Sequence, residues 1–384
     1  MKHALLLSGS LGMGHDVMAG ACADSLEARG WSTRTLDAMR LLGRTGGSAG
    51  EAVFRGMLAV PGLYDAYHFT TLRTGNRLAL MTDAAARGQV VPRLRRQLDA
   101  EPADLVVSVF ATAASAVSRL RTCRVRGTDA VDGVTGGARA VHDRYRDMAH
   151  VVFCTDVTPH RLWVHPHTDL YLVTSRAAES AVLRFQPDAQ VAVVPAPVRP
   201  GFYQPPTQQE ARSRLGVPAT ERCVLLMSGA WGIGPLAVTA SALGRAGLCV
   251  LAVAGRNKKL EARLRAAAAR EPRLRVFGFT DRIPELMAAA DLVVTSSGDT
   301  CSEARVVGRH VLLLDAVPGH GRDNLQHELE LGDASVTSAR PADVVRSTLA
   351  ALDRVKPAQA GATRSAADWE AALSAALTRI GLNG

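Results

Sequence analysis

Short apolar runs recur along the chain, each followed by a stretch of helical period. Residues 4–8, 32–37 and 104–110 read as buried or half-buried strands, with a further pair expected at 149–154 and 169–174. After residue 207 the pattern resumes, with strands near 223–228, 249–254, 274–277, 291–295 and 311–315. Strand–helix alternation predicts an α/β class with parallel sheets and right-handed crossovers. Between the two series stand Pro195, Pro197, Pro200, Pro205 and Pro206, which suit neither a helix interior nor a central strand. The expected organisation is a domain over 1–196, a second over 207–362, and a terminal helix over 363–384 that crosses back to the first. Trp369, Leu373, Leu377 and Ile380 share one face of that helix. Residues 124–147 lack periodicity and are rich in Gly, Asp and Arg, so they read as an exposed, disordered insert.

The bulk numbers narrow this picture. A length of 384 residues suits two domains of about 190 residues each. Six scattered cysteines lack the spacing of a disulfide framework or a zinc knuckle and fit a reducing interior. The N-terminal Met1–Leu7 superficially mimics a signal peptide, but glycines and His15-Asp16 break it. No apolar stretch approaches the roughly 18 residues of a membrane span, so the expectation is a soluble, cytoplasmic protein, at most peripheral. The net charge of +9 is almost wholly arginine, a compositional bias that informs only where the cations cluster. No nucleic-acid partner is expected.

Five segments carry chemistry. Ala4–Ser8 runs into Gly9, Gly12, Gly14 and His15, and Cys223–Ser228 runs into Gly229, Gly232, Gly234 and Pro235. A strand, a glycine turn and a helix start bring backbone N–H groups against a phosphate, although a plain tight turn reads the same way. The first turn lacks the dinucleotide spacing, so with Asp37 nearby a nicotinamide site stays open but does not explain His15. A histidine at a helix start has the pKa range of a general base, or is simply structural. Thr295–Glu303 lies at the carboxyl end of a predicted strand, where open α/β sheets bind ligands. Its hydroxyls and helix start suit phosphate, and Glu303 could accept from ribose hydroxyls or merely favour the helix dipole. Cys154–His167 holds a cysteine, an aspartate and three histidines, but Pro159 and Pro166 break any ligand-bearing helix, and no metal is expected. Ala52–Arg96 mixes Phe54, Met57, Leu58, Val60, Leu63, Tyr64, Tyr67 and Phe69 with Arg73, Arg77, Arg87, Arg93, Arg95 and Arg96. That mixture suits either an anionic membrane interface or helices with a solvated basic face.

In order along the chain, Gly12–His15, Asp156 with Trp163–Pro166, Gly229–Pro235, Ala254–Leu260, Gly278-Phe279 and Pro318-Gly319 with Asn324 resemble one family. It is that of the monogalactosyldiacylglycerol synthases and related processive diacylglycerol glycosyltransferases, cousins of the peptidoglycan lipid-intermediate N-acetylglucosaminyltransferase. The resemblance implies a GT-B fold of two Rossmann-like domains facing a cleft. It implies inverting hexose transfer from a UDP-sugar to a lipid hydroxyl, diacylglycerol foremost, on an anionic membrane surface, with no cofactor. It puts His15 in the place of the family's N-terminal histidine; the candidate catalytic residues are His15 and Asp156, and the candidate acceptor-binding residues are Gly14, Tyr64, Tyr67, His160 and Trp163. Donor binding falls to Ser228, Gly229, Gly232, Gly234, Arg256, Asn257, Phe279, Thr280, Ser297, Gly298, Thr300, Glu303, His320 and Asn324. Asp299, Ser297, His320 and Gly321 depart from the family pattern around the donor, which bears on sugar identity. A lipid-linked saccharide or secondary-metabolite acceptor, or a non-catalytic nucleotide-sugar-binding protein, are the alternatives.

Overall fold

The computed structural model describes residues 1–9, 14–43, 56, 62–122, 145–229, 232, 234–354 and 365–382. The chain divides into two compact units, one of Met1–Ala196 with Trp369–Gly384, the other of Pro197–Asp368.

The first unit holds strands β1 (His3–Ser8), β2 (Ser32–Asp37), β3 (Leu105–Ser108), β4 (Ala149–Phe153), β5 (Leu170–Val173) and β6 (Val191–Val193). All pair in parallel in the order β2-β1-β3-β4-β5-β6. Alternate β1 residues serve opposite layers: Ala4 and Leu6 join Met18, Leu26 and Trp369, while Leu5 and Leu7 join Leu94, Leu98 and Val117. Burial on both faces is why β1, β3 and β5 read as continuous apolar runs. The helix Ala366–Thr378 closes one layer. Trp369 stacks on Phe153 with centroids 5.7 Å apart, and its indole N–H donates to Ser25 Oγ at 2.9 Å.

The second unit holds β7 (Cys223–Leu226), β8 (Cys249–Val253), β9 (Leu274–Phe277), β10 (Leu292–Thr295), β11 (His310–Asp315) and β12 (Ala334–Ser338). Their parallel order is β12-β11-β10-β7-β8-β9, the doubly wound Rossmann order. In each sheet the strand order reverses beside the first strand, between β1 and β3 and between β7 and β10. Crevices outside the carboxyl ends at such points are where open α/β sheets take ligands.

Two readings need correction, and two strands went unread. Residues 197–206 are not a free connection, because Val198 and Phe202 are buried in the core of the second unit. Strands β6 and β12 carried no signal, being a three-residue edge and the polar edge Ala-Ser-Val-Thr-Ser. Most of the insert read at 124–147 lies outside the described residues, but at its far end Tyr145 is buried in the core rather than exposed.

Candidate functional site

At the first switch point, Ser8 Oγ donates to Asp16 Oδ1 at 2.5 Å and pins the start of the helix Gly14–Glu27 to the end of β1. Gly9 is required by packing: a Cβ there would lie 2.6 Å from the Phe110 ring. These contacts deliver His15, whose Nδ1 lies 2.7 Å from the carbonyl oxygen of Val109 just past β3. A carbonyl only accepts, so Nδ1 carries a proton, and in the neutral ring the lone pair sits on Nε2. Phe110 meets the imidazole edge-on at 5.3 Å, and Thr155 Oγ1 stands 3.4 Å from Nδ1.

Asp156 organises the neighbouring loop. Its Oδ2 accepts from the buried Trp163 indole at 2.9 Å and lies 3.6 Å from His160 Nε2. His160 Nδ1 in turn accepts from the Leu162 N–H at 3.3 Å, which leaves the Nε2 proton toward Asp156. The Trp163 ring lies 6.5 Å from that of His15, so His15, Asp156, His160 and Trp163 form one group. Tyr64 is buried, and burial first and then the Asp156 charge raise its hydroxyl pKa. Tyr67 is half-buried on the same short helix, Leu63–Tyr67.

Cys154 and His165 are buried and structural. Burial raises the Cys154 thiol, and burial also lowers His165 to about 4, with Nε2 bonded to the Leu162 carbonyl. Among the described residues no group of three His, Cys, Asp or Glu side chains could hold a metal ion.

The apolar–basic stretch read at 52–96 is redistributed. Phe54, Met57, Leu58 and Val60 lie outside the described residues. Tyr64 is buried rather than exposed, and Arg87 is tied to Asp83 at 3.1 Å. Exposed apolar side chains are instead Leu63, Leu78, Leu80 and Met81, with Arg77 exposed among them.

At the second switch point, Ser228 Oγ and Ser296 Oγ lie 2.9 Å apart and join the ends of β7 and β10. Gly229, Gly232 and Gly234 all adopt positive φ, which side chains rarely do. The Gly232 N–H is spent on the Ser228 carbonyl at 3.0 Å, so it shapes the turn. The helix Leu236–Arg245 begins just beyond. Ser297 Oγ donates to the Gly321 carbonyl at 2.7 Å, joining the starts of the helices Asp299–Val306 and His320–Glu330. Three helix N-termini therefore belong to one crevice, a positive field suited to an anion. Gly321 has a packing reason, since a Cβ there would lie 2.5 Å from Val317 Cγ1. Among the described residues, Thr295 Oγ1 and Asn324 Oδ1 are buried without a hydrogen-bond partner.

Gly298 precedes the buried Thr300 and Glu303. The sequence reading of Glu303 missed its partner, Arg199, whose Nη2 donates to Oε1 at 3.1 Å. Burial raises the Glu303 pKa to about 7, Arg199 opposing and Asp299 adding to the shift. No motif marks Arg199, which hides in the proline run. Asn257 caps the helix Lys258–Ala268 by accepting the Leu260 N–H at 3.0 Å. The Arg256 guanidinium lies 4.7 Å from the centroid of the exposed Phe279 ring, and Thr280 Oγ1 accepts from the Arg282 N–H at 3.1 Å.

No family model matches the chain. A probable chloroplastic monogalactosyldiacylglycerol synthase of Glycine max is 32% identical over 215 residues, covering 52% of this chain and 40% of that relative. The chain thus spans well under two thirds of the length of the curated relatives it matches. Among solved structures, Arabidopsis thaliana UGT89C1 complexed with UDP gives a TM-score of 0.58 at 14% identity, covering 100% of this chain and 96% of that one. MurG of Acinetobacter baumannii gives 0.55 at 14% identity, over 92% of this chain and 91% of that one. The fold is of the GT-B type, and over half its length the chain is similar in sequence to monogalactosyldiacylglycerol synthases.

Proposed function

We propose that the chain is an inverting, metal-independent glycosyltransferase that moves a hexose from a UDP-sugar to a lipid hydroxyl, diacylglycerol foremost. The observation that carries this reading is the His15 imidazole, fixed through Nδ1 by the Val109 carbonyl, on a chain similar to monogalactosyldiacylglycerol synthases. Nε2 takes the proton of the acceptor hydroxyl as that oxygen bonds to the anomeric carbon of the sugar. The bond from that carbon to the diphosphate oxygen breaks on the opposite face, and configuration inverts. The departing diphosphate gains negative charge, which the helix starts at Leu236, Asp299 and His320 stabilise together with Thr300. Glu303 accepts from the ribose hydroxyls and Phe279 lies against the uracil. Asp156 acts as a positioning residue, fixing Trp163 and His160 around the acceptor with Tyr64 and Tyr67. Leu63, Leu78, Leu80 and Met81 with Arg77 support a peripheral seat on an anionic cytoplasmic membrane face.

A panel of labelled UDP-sugars offered with diacylglycerol vesicles tests this reading. Glycolipid and UDP should appear with at least one donor, and their absence across the panel defeats it. His15→Ala should lower kcat by about 10²- to 10⁴-fold while leaving UDP affinity nearly unchanged. Unaltered turnover removes His15 from the mechanism.

A further inference from the structure

Away from the glycine turns, the second unit carries a cavity of about 1020 Å³ against the first residues of β11 and β12 and the helix Pro341–Arg354. Four arginines and one aspartate line it: Arg305, Arg309, Arg346, Arg354 and Asp333. Two of the cations are neutralised. Arg305 is held by Glu328 and Asp333, and Arg346 pairs with Asp343. The other two are not. Arg309 is only 8% exposed, and its Nε and Nη2 donate to the Met287 and Ala288 carbonyls at 3.1 and 2.6 Å. Among the described residues neither Arg309 nor Arg354 has a carboxylate in ion-pair contact, and Arg309 Nη1 makes no hydrogen bond. Asp291, whose charge bears on Arg309, is already bonded to Arg212 at 2.8 Å.

A guanidinium more than nine-tenths buried without a counter-ion is costly, since carbonyl dipoles satisfy its donors but not its charge. Beside it His310 Nε2 lies 3.2 Å from Ser335 Oγ. Burial and Arg354 hold the His310 pKa low, while Asp333 opposes them. The geometry points to this cavity as a binding site for the phosphate group of a small phosphorylated molecule, with Arg309 and Arg354 as its charge partners. The space far exceeds one phosphate, and Leu312, Ala334 and Ala351 offer an apolar wall to the organic part. The cavity opens at the amino ends of the strands, whereas the diphosphate crevice lies at their carboxyl ends. The site is therefore separate from the one proposed for the donor and does not depend on that reading.

Calorimetric titration of the full chain with phenyl phosphate and with inorganic phosphate tests the inference at matched ionic strength. Both should bind saturably, phenyl phosphate more tightly because of the apolar wall. Arg354→Ala should weaken binding by about tenfold, the scale of one charge-assisted hydrogen bond. Arg309→Met should abolish binding, and Arg354→Ala, being exposed, keeps the test valid if Arg309→Met does not fold. Bound phosphate should also raise the His310 pKa, read by NMR, because an anion favours the imidazolium. Phosphatidylcholine vesicles with and without a phosphomonoester lipid separate the sources. Co-sedimentation that needs both the phosphomonoester and Arg354 supports the site with a lipid headgroup as ligand, and binding of phenyl phosphate alone supports it with a soluble one. Absence of saturable binding, or binding unchanged in both variants, overturns the inference.

Discussion

Glu303 lies 6% exposed with a single guanidinium on Oε1, and that balance gives it a measurable signature. Its pKa stands at about 7 against an ordinary 4.5, because desolvation outweighs the attraction of Arg199. A carboxyl whose folded pKa is raised holds its proton more tightly when folded than unfolded. Its contribution to stability is therefore intact below pH 4.5 and is lost progressively as pH rises toward 7. Glu303→Gln should leave the melting temperature near that of the parent at pH 5 and exceed it at pH 8, read by calorimetry. A constant difference across that range contradicts the raised pKa. In the reading proposed above, ribose hydroxyls donate to the carboxylate, so UDP should bind the parent more tightly as pH rises through 7. The titration of UDP itself is common to parent and Glu303→Gln and cancels in their comparison. Arg199→Met should push the pKa higher still and move that rise in affinity to more alkaline pH.

At the scale of elements, the helix Arg77–Ala100 divides its sides between two media. Val90, Leu94 and Leu98 are buried in the core of the first unit, whereas Leu78 and Met81 are 53% and 69% exposed on its first turns. Residues three apart share a helix face, so these two form one apolar projection beside Arg77. Leu78→Ser with Met81→Ser should lower co-sedimentation with anionic vesicles several-fold without lowering the melting temperature, since neither side chain packs in a core. Unchanged co-sedimentation places the membrane contact elsewhere. The same helix shows what the sequence made legible. Buried strands such as Ala4–Ser8 and Cys223–Leu226 announced themselves because burial on both faces demands unbroken apolar residues. Edge strands β6 and β12 face solvent, need no such run and left no signal. The glycine turns and Glu303 were visible as local patterns. Arg199 was not, because its role depends on a carboxylate 104 residues away. Val109 was equally hidden, acting on His15 through a backbone carbonyl that every residue possesses.

On the scale of the whole molecule, sequence order and structural order part company at the end of the chain. The first unit is assembled from Met1–Ala196 and Trp369–Gly384, so the polypeptide completes it only after making all of the second. Trp369, Leu373, Ala376 and Leu377 are each at most 4% exposed and share a core with Ala4, Leu6, Met18 and Phe153. Burying side chains of this size contributes about 2 kcal/mol apiece for the larger three. Their sum, about 6 kcal/mol, is on the scale of the roughly 5–15 kcal/mol that typically separates a folded domain from its unfolded chain. The Ser25 hydroxyl would also lose the Trp369 indole that donates to it. The second unit has no such debt, for its cores draw on residues from Val198 to Ala351. A chain ending at Ser365 should therefore melt with only one cooperative transition, that of residues 197–365, with the first unit unfolded or aggregated. Residues 197–365 made alone should reproduce that transition and, on the reading proposed above, retain UDP binding. Two intact transitions in the shortened chain would show that the terminal helix is dispensable to the first unit. Failure of 197–365 to fold alone would show that the second unit needs more than its own core.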